Sequence, residues 1–323
     1  MDFQTLVDTD AVGIKIEHDE AVMMLGSCFA EDVGNLLKRS MLALCINPFG
    51  TLYNPRSIAQ SLRRLMADLP FSADELVAYG NLWHSMSHHS RFSSVDKDKA
   101  LQKINAAYAE GVDCLRSARH LIVTFGTAYT FSTADGETAA NCPKMQASRF
   151  NRRMLSANEI ADEWIPLIDD IRKFNPHIDI TFTVSPVRHL ADGAHGNQLS
   201  KSTLLLAADS IMAQRPGVCH YFPSYEIMLD QLRDYRFFAA DMVHPSDVAV
   251  AYVAERFKAS CLSDRARQAC TRCEKVYARL LHRPLSDDSE AAEAFRAATR
   301  RAADTLSADR PYVKTIIDKL LKQ

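Results

Sequence analysis

Apolar residues along this chain fall in short runs that end at turn residues, with longer stretches of helical periodicity between them. Ala21-Val-Met-Met-Leu25 predicts a strand closed by Gly26-Ser27, and Phe29 to Ser40 predicts a helix with Phe29, Val33, Leu36 and Leu37 on one face. Met41 to Ile46 predicts a second strand, stopped by Asn47-Pro-Phe-Gly50. Further strands are expected at His120 to Phe125, Ile178 to Val184 and Val218 to Phe222. Helices are expected at Pro55 to Ala67, Lys97 to Arg119, Ala157 to Phe174, Gln198 to Gln214 and Ser246 to Ser260. Phe71 to Phe92 reads as irregular and aromatic, and Tyr129 to Thr138 as a hairpin.

Strands separated by helices imply right-handed crossovers and a mainly parallel sheet with helices on both faces. The expected fold is therefore α/β, a three-layer α/β/α sandwich over residues 1–260. Ligands of such sheets bind beyond the carboxyl ends of the strands, where Ser27, Asn47 to Gly50, Gly126 and Ser185 fall. From Cys261 to Gln323 the chain turns Arg- and Ala-rich, helical and strandless. This reads as a helical appendage that caps the domain or mediates self-association into a homo-oligomer.

The length of 323 residues and 47% hydrophobic content support a large core. A net charge of -2 provides no electrostatic pull toward nucleic acid or an anionic membrane. No uninterrupted apolar window is long enough for a membrane span, and the N-terminus lacks the basic start and apolar stretch of a secretory signal. A cytoplasmic location is the resulting expectation. The eight cysteines are scattered, so no disulfide framework is expected. Cys270-Thr-Arg-Cys273 has metal or redox spacing but no second pair, and two ordinary thiols on a helix are favoured. In Trp83-His84-Ser-Met-Ser-His88-His89, the adjacent His88 and His89 would point to opposite sides of a strand. That weakens a metal chelate in favour of a substrate-facing or structural loop. No metal site is expected. With no P-loop, and no GxGxxG after the first strand, no nucleotide cofactor is indicated.

Two segments carry candidate chemistry. Ser27, at a strand-to-helix junction, exposes a hydroxyl where the free N–H groups of the following helix converge, which suits attack on a carbonyl. The competing reading is a plain helix N-cap, a position serine favours. Cys28 reads as a small buried residue at the helix start. Asp241-Met-Val-His244 precedes the last core helix, and the carboxylate can orient the imidazole and offset the charge it gains. The competing reading is a surface or capping histidine.

A serine after the first strand and a DxxH after the last resembles the SGNH (GDSL-like) hydrolases. Gly26-Ser-Cys-Phe-Ala30 resembles, more closely, the motif that names the GSCFA family, a bacterial group related to those enzymes. Asn47-Pro-Phe-Gly-Thr-Leu-Tyr-Asn-Pro55, Thr124-Phe-Gly-Thr-Ala-Tyr129, Asn141-Cys142, Thr183-Val-Ser-Pro-Val-Arg-His189, Ser200-Lys-Ser202 and Asp241-Met-Val-His-Pro-Ser246 resemble it too, over about residues 20–260. The resemblance implies an SGNH-like sandwich of flavodoxin-like topology. It implies Ser27 as nucleophile, Asp241 and His244 as orienter and base, and the N–H groups of Ser27 and Gly50 as oxyanion donors. Gly50 also reads as a plain turn residue.

The resemblance breaks at one place. SGNH enzymes carry Gly-x-Asn in block three, with the amide on the oxyanion, whereas Gly126-Thr127-Ala128 stands here. One lost donor costs about 100- to 1000-fold in rate. Asn141, after the expected hairpin, is the candidate substitute, or else a turn residue beside Cys142-Pro143. Arg188 and His189 are candidates for an anionic or sugar-like substrate group, or for a salt bridge on the rim. The combined expectation is an acyl esterase or acyltransferase acting on a small-molecule or carbohydrate ester, with no cofactor and no nucleic-acid or membrane partner. The rival expectations are a catalytically silent SGNH scaffold that binds ligand, and a scaffold protein assembling through the C-terminal helices.

Overall fold

The computed structural model describes residues 4–140, 145–282 and 290–322. Strand β1 (Val22–Gly26) runs into helix α1 (Cys28–Lys38), then strand β2 (Leu44–Ile46) and helix α2 (Pro55–Ala67). A hairpin of β3 (Leu76–Tyr79) and β4 (Leu82–Ser85) precedes α3 (Lys97–Ser117) and β5 (His120–Phe125). Strands β6 (Tyr129–Ser132), β7 (Thr138–Ala139) and β8 (Asn151–Met154) lead to α4 (Ala157–Phe174), β9 (Asp179–Val184), α5 (Gly193–Gln214) and β10 (Cys219–Tyr221). A short α6 (Ser224–Glu226) precedes α7 (Asp247–Cys261), α8 (Asp264–Leu281), α9 (Glu290–Asp309) and α10 (Lys314–Leu320).

The central sheet is five-stranded, in the order β10-β9-β5-β1-β2, and every neighbouring pair is parallel. Counting only these strands in chain order gives 2-1-3-4-5, the flavodoxin-like arrangement, whose order reverses between β1 and β5. Side chains alternate across the sheet. On β1, Met23 and Leu25 join one core cluster with α2, α3, α4 and α5, while Val22 and Met24 join a second with α1 and α7. This is the three-layer sandwich expected from the chain. Trp164 of α4 is fully buried against Phe125 and Phe182, and its Nε1 donates to the Pro55 carbonyl at 3.2 Å, so its one polar atom is satisfied.

The structure revises several local expectations. The stretch from Phe71 to Phe92 contains an antiparallel hairpin, Tyr79 facing Leu82 across a two-residue Gly80-Asn81 turn. Gly80 has φ +61°, the left-handed conformation such turns require. The second strand begins at Leu44, because Met41 takes φ 55° and ends the preceding turn. The expected hairpin at Tyr129 exists but pairs with β8 on its other edge, making a small three-stranded sheet. In the C-terminal helices, Ala266 and Cys270 pack into the second core cluster, and Cys273 packs with Met41, Leu306 and Val313 in a third. Cys270 and Cys273 are buried free thiols, and burial pushes them up to about 11 and about 12. No described helix is long and apolar enough to cross a membrane.

Candidate active site

The switch between β1 and β5 is where backbone constraint is tightest. Gly26 has φ +138°, and a Cβ there would lie 2.1 Å from the Thr124 carbonyl oxygen of β5. Only glycine fits this strand end. Its N–H donates to the Asn47 side-chain oxygen at 2.8 Å, and its carbonyl accepts from Leu52 N–H at 2.9 Å. Asn47, at φ 47°, thereby ties the β2 loop to the β1 end. The histidine-rich segment braces this loop from outside. His88 stacks on Phe49 with ring centroids 4.8 Å apart, and burial pushes it down to about 3, so it is a neutral core residue. Among the described residues no group of three or more His, Cys, Asp and Glu side chains is placed to hold a metal.

Ser27 occupies the N-cap position of α1, with φ -67° and ψ 171°, yet its side chain makes no capping hydrogen bond. It is 1% exposed, and its Oγ has no hydrogen-bond partner among the described residues. A buried hydroxyl without a partner is uncommon and calls for a reason. Capping is not that reason.

Asp241 and His244 lie on the loop before α7. Asp241 Oδ1 accepts from the N–H groups of Val243 at 2.9 Å and His244 at 3.0 Å, and Oδ2 pairs with His244 Nδ1 at 2.7 Å. These bonds, the His244 backbone bond first, hold the Asp241 carboxyl down at about 2. With Nδ1 on the carboxylate, Nε2 is the imidazole nitrogen left for chemistry. The loop is shaped by Met242 at φ 59° and by a bridge between Phe238 and Pro245, and Ser246 caps α7 by accepting from Ala249 N–H. His244 shares with Cys28, the residue after Ser27, the lining of a cavity of about 620 Å³. Its wall also includes Tyr53, Tyr129, Arg152, Arg188 and His189. The Cys28 thiol, pushed up to about 11 chiefly by burial, is protonated and a poor nucleophile.

The N–H groups expected to serve as oxyanion donors are directed at backbone carbonyls. Ser27 N–H is directed at the Thr124 carbonyl at 3.3 Å, continuing the β1–β5 ladder. Gly50 N–H closes a turn onto the Asn47 carbonyl at 2.7 Å, and a Cβ on Gly50 would lie 2.4 Å from that of His89, so its φ of +76° serves packing. Gly50 does not line the cavity. Asn141 lies outside the described residues. The N–H groups of Gly126 and Thr127 also look away, both donating to the Tyr53 carbonyl, at 2.8 and 2.9 Å. The first-turn N–H groups of Cys28 and Phe29, which follow Ser27, are directed at the Cys28 sulfur.

Arg188 and His189 both reach the cavity wall. The Arg188 guanidinium stacks 4.3 Å over Phe238 and makes no salt bridge among the described residues. His189 faces the Tyr53 ring edge-on at 5.8 Å, and burial pushes it down to about 4, leaving it neutral. Sequence reasoning gave no role to Tyr53, Tyr129 and Lys201, although each lies in a stretch that resembles the family, and did not single out Arg152. Arg152 lies 3.8 Å over the Tyr129 ring and pairs with Asp192. Lys201, on α5, is 0% exposed and donates to the carbonyls of Gly126 at 2.5 Å and Ser185 at 2.6 Å. A signal existed for it. Asn197, Lys201, Leu204, Ala208 and Ile211 share the buried stripe of α5, and a lysine in such a stripe is rarely idle.

A family model for the GSCFA family matches residues 21–257. No curated protein sequence matches the chain. Among solved structures, an acetyl xylan esterase from the rumen bacterium Butyrivibrio proteoclasticus is similar at 10% identity with a TM-score of 0.30. That alignment covers 76% of this chain and 65% of the other, so the chain spans about 65% of that protein's length.

Proposed function

The chain belongs to the GSCFA family, and from that premise we propose that it is a serine hydrolase acting on an acyl ester, as an esterase or acyltransferase. One observation carries the reading. The Ser27 hydroxyl sits at a helix cap yet caps nothing and is buried without a partner, and the residue that follows it, Cys28, lines the cavity that His244 lines. General-base activation requires a free hydroxyl and an imidazole whose Nδ1 is fixed by a carboxylate; Ser27 supplies the first and His244, paired with Asp241, the second.

In this reading the Ser27 Oγ–H proton passes to His244 Nε2 as Oγ bonds to the ester carbonyl carbon, and the carbonyl π pair moves onto its oxygen. Asp241 offsets the charge of the imidazolium. Collapse of the oxyanion expels the alcohol, which takes the proton from His244. Water, or a second hydroxyl in the transferase case, then repeats the sequence on the acyl-enzyme. The aromatic wall of Tyr53 and Tyr129 with Arg188 suits a sugar-like or anionic leaving group.

A second reading has an observation of its own. The N–H groups of Ser27 and Gly50 are both committed to backbone carbonyls, as a silent binding scaffold would allow. Treating the protein with a fluorophosphonate and measuring intact mass separates the two. A single adduct on the wild type, absent from Ser27→Ala and much reduced in His244→Ala, is expected of the hydrolase. A folded wild type that stays unlabelled after long exposure favours the scaffold.

A further inference from the structure

We infer that Lys201 takes over the task of the missing block-three amide: its buried ammonium fixes the strand ends beside Ser27 and stabilises the negative charge that forms on the substrate oxygen. This rests on the hydrolase reading above.

The argument begins with position. β1, β5 and β9 are consecutive in the sheet. Ser27, Gly126 and Ser185 are the first residues beyond their respective ends. Gly126 touches the nucleophile's position: a Cβ built on it would be 3.4 Å from Ser27 Cβ. Lys201 Nζ donates to Gly126 O and Ser185 O, so it bridges two of the three strand ends, and one of these abuts Ser27. The residue before it, Ser200, accepts from Ala128 N–H at 2.8 Å and bonds Thr127 Oγ1 at 3.1 Å. One turn of α5 therefore orders the whole Gly126–Ala128 loop, the segment that in the resembling enzymes delivers the amide.

Charge is the second part. A lysine with no exposed surface has lost its hydration, and two neutral carbonyls do not neutralise it. No carboxylate pairs with Lys201 among the described residues. The titratable groups that face it are Cys28 from α1 and His189 from the loop after β9. Both are neutral near pH 7, the thiol pushed up to about 11 and the imidazole down to about 4. An unpaired cation in a dry strand edge acts strongly on a nearby developing anion, because little solvent screens it. It attracts the tetrahedral oxyanion more than the neutral ester, which is the condition for lowering a barrier. Lys201 donates no proton and remains an ammonium through the step. It is a positioning residue, acting through Gly126 and through its field.

Burial pushes Lys201 from its ordinary 10.5 down to about 7. The test is the rate of fluorophosphonate labelling of Ser27 across about pH 6 to 10, on wild type, Lys201→Met and Lys201→Gln, with unfolding curves recorded for each. The wild-type rate is expected to fall toward the alkaline end as Lys201 loses its proton. Both variants are expected to label about 100-fold more slowly near neutral pH and to lack the alkaline fall. Gln restores donors to the carbonyls without charge, so a purely structural clamp would be rescued by it and the field would not. If neither variant folds, the wild-type profile alone decides. A wild-type rate that stays flat to the alkaline end, or Lys201→Gln labelling at the wild-type rate, overturns the inference while leaving Ser27 as nucleophile. A wild type that never labels overturns the hydrolase reading, and this inference falls with it.

Discussion

Ser27 is buried at the end of β1, its N–H on the Thr124 carbonyl, whereas His244 stands half in solvent, with 49% of its side chain exposed, on a loop ordered by Asp241. The first region is rigid for reasons outside the serine. Gly26 has no room for a Cβ, and Asn47 ties in the next loop. The second makes its own order, since Asp241 fixes both the loop backbone and the imidazole through its two oxygens. A nucleophile must be placed to within a fraction of an ångström, and a sheet edge provides that. A base that gives and takes protons benefits from contact with water, and a surface loop provides that. Under the proposed hydrolase reading the difference matches a division of labour, in which a backbone change at Gly26 acts on stability and removal of the His244 imidazole acts on rate.

Substitution at His244 is the largest expected break in that comparison. His244→Ala should slow Ser27 labelling by about 100- to 10,000-fold, with an unfolding midpoint close to wild type, because the side chain is exposed. Gly26→Ala reverses the pattern. Its Cβ would meet the Thr124 carbonyl at 2.1 Å, and at positive φ the expected loss is about 3 kcal/mol in a urea titration, or failure to fold. The smallest effect concerns Asp241. Its folded carboxyl is held at about 2, below the ordinary 3.8, so its contribution is complete above about pH 4 and is lost as pH falls toward 2. The unfolding midpoints of wild type and Asp241→Asn should differ slightly at pH 5 and converge by pH 2. A gap that widens on acidification would contradict the assignment.

Much of this arrangement was legible from residue pattern. The five core strands end at Gly26, Ile46, Phe125, Val184 and Tyr221, close to the turn residues that mark them in the chain. That is because parallel strands buried on both faces are continuous apolar runs. The β3–β4 hairpin was hidden by its aromatic and histidine content, although Gly80-Asn81 carried the turn signal. In the site, the pairing of Asp241 with His244 follows from a three-residue spacing, which is local. The oxyanion donors were not readable, because whether the N–H of Ser27 or Gly50 is free depends on the Thr124 and Asn47 carbonyls. Lys201 stood in the chain only within Ser200-Lys-Ser202, one of the stretches that resemble the GSCFA family, with no role attached. Its partners, Gly126 and Ser185, are 75 and 16 residues away in sequence and meet it only once the sheet is assembled.

The central claim is that the Ser27 hydroxyl is kept free for chemistry instead of capping α1. Ser27→Ala, measured for fluorophosphonate labelling and thermal unfolding in the same preparation, tests it most directly. The account predicts no adduct and an unfolding midpoint equal to or above that of the unlabelled wild type, since a buried unsatisfied hydroxyl is removed. A wild type that fails to label, together with a Ser27→Ala protein destabilised by about 1 kcal/mol as loss of a helix cap would give, would contradict it.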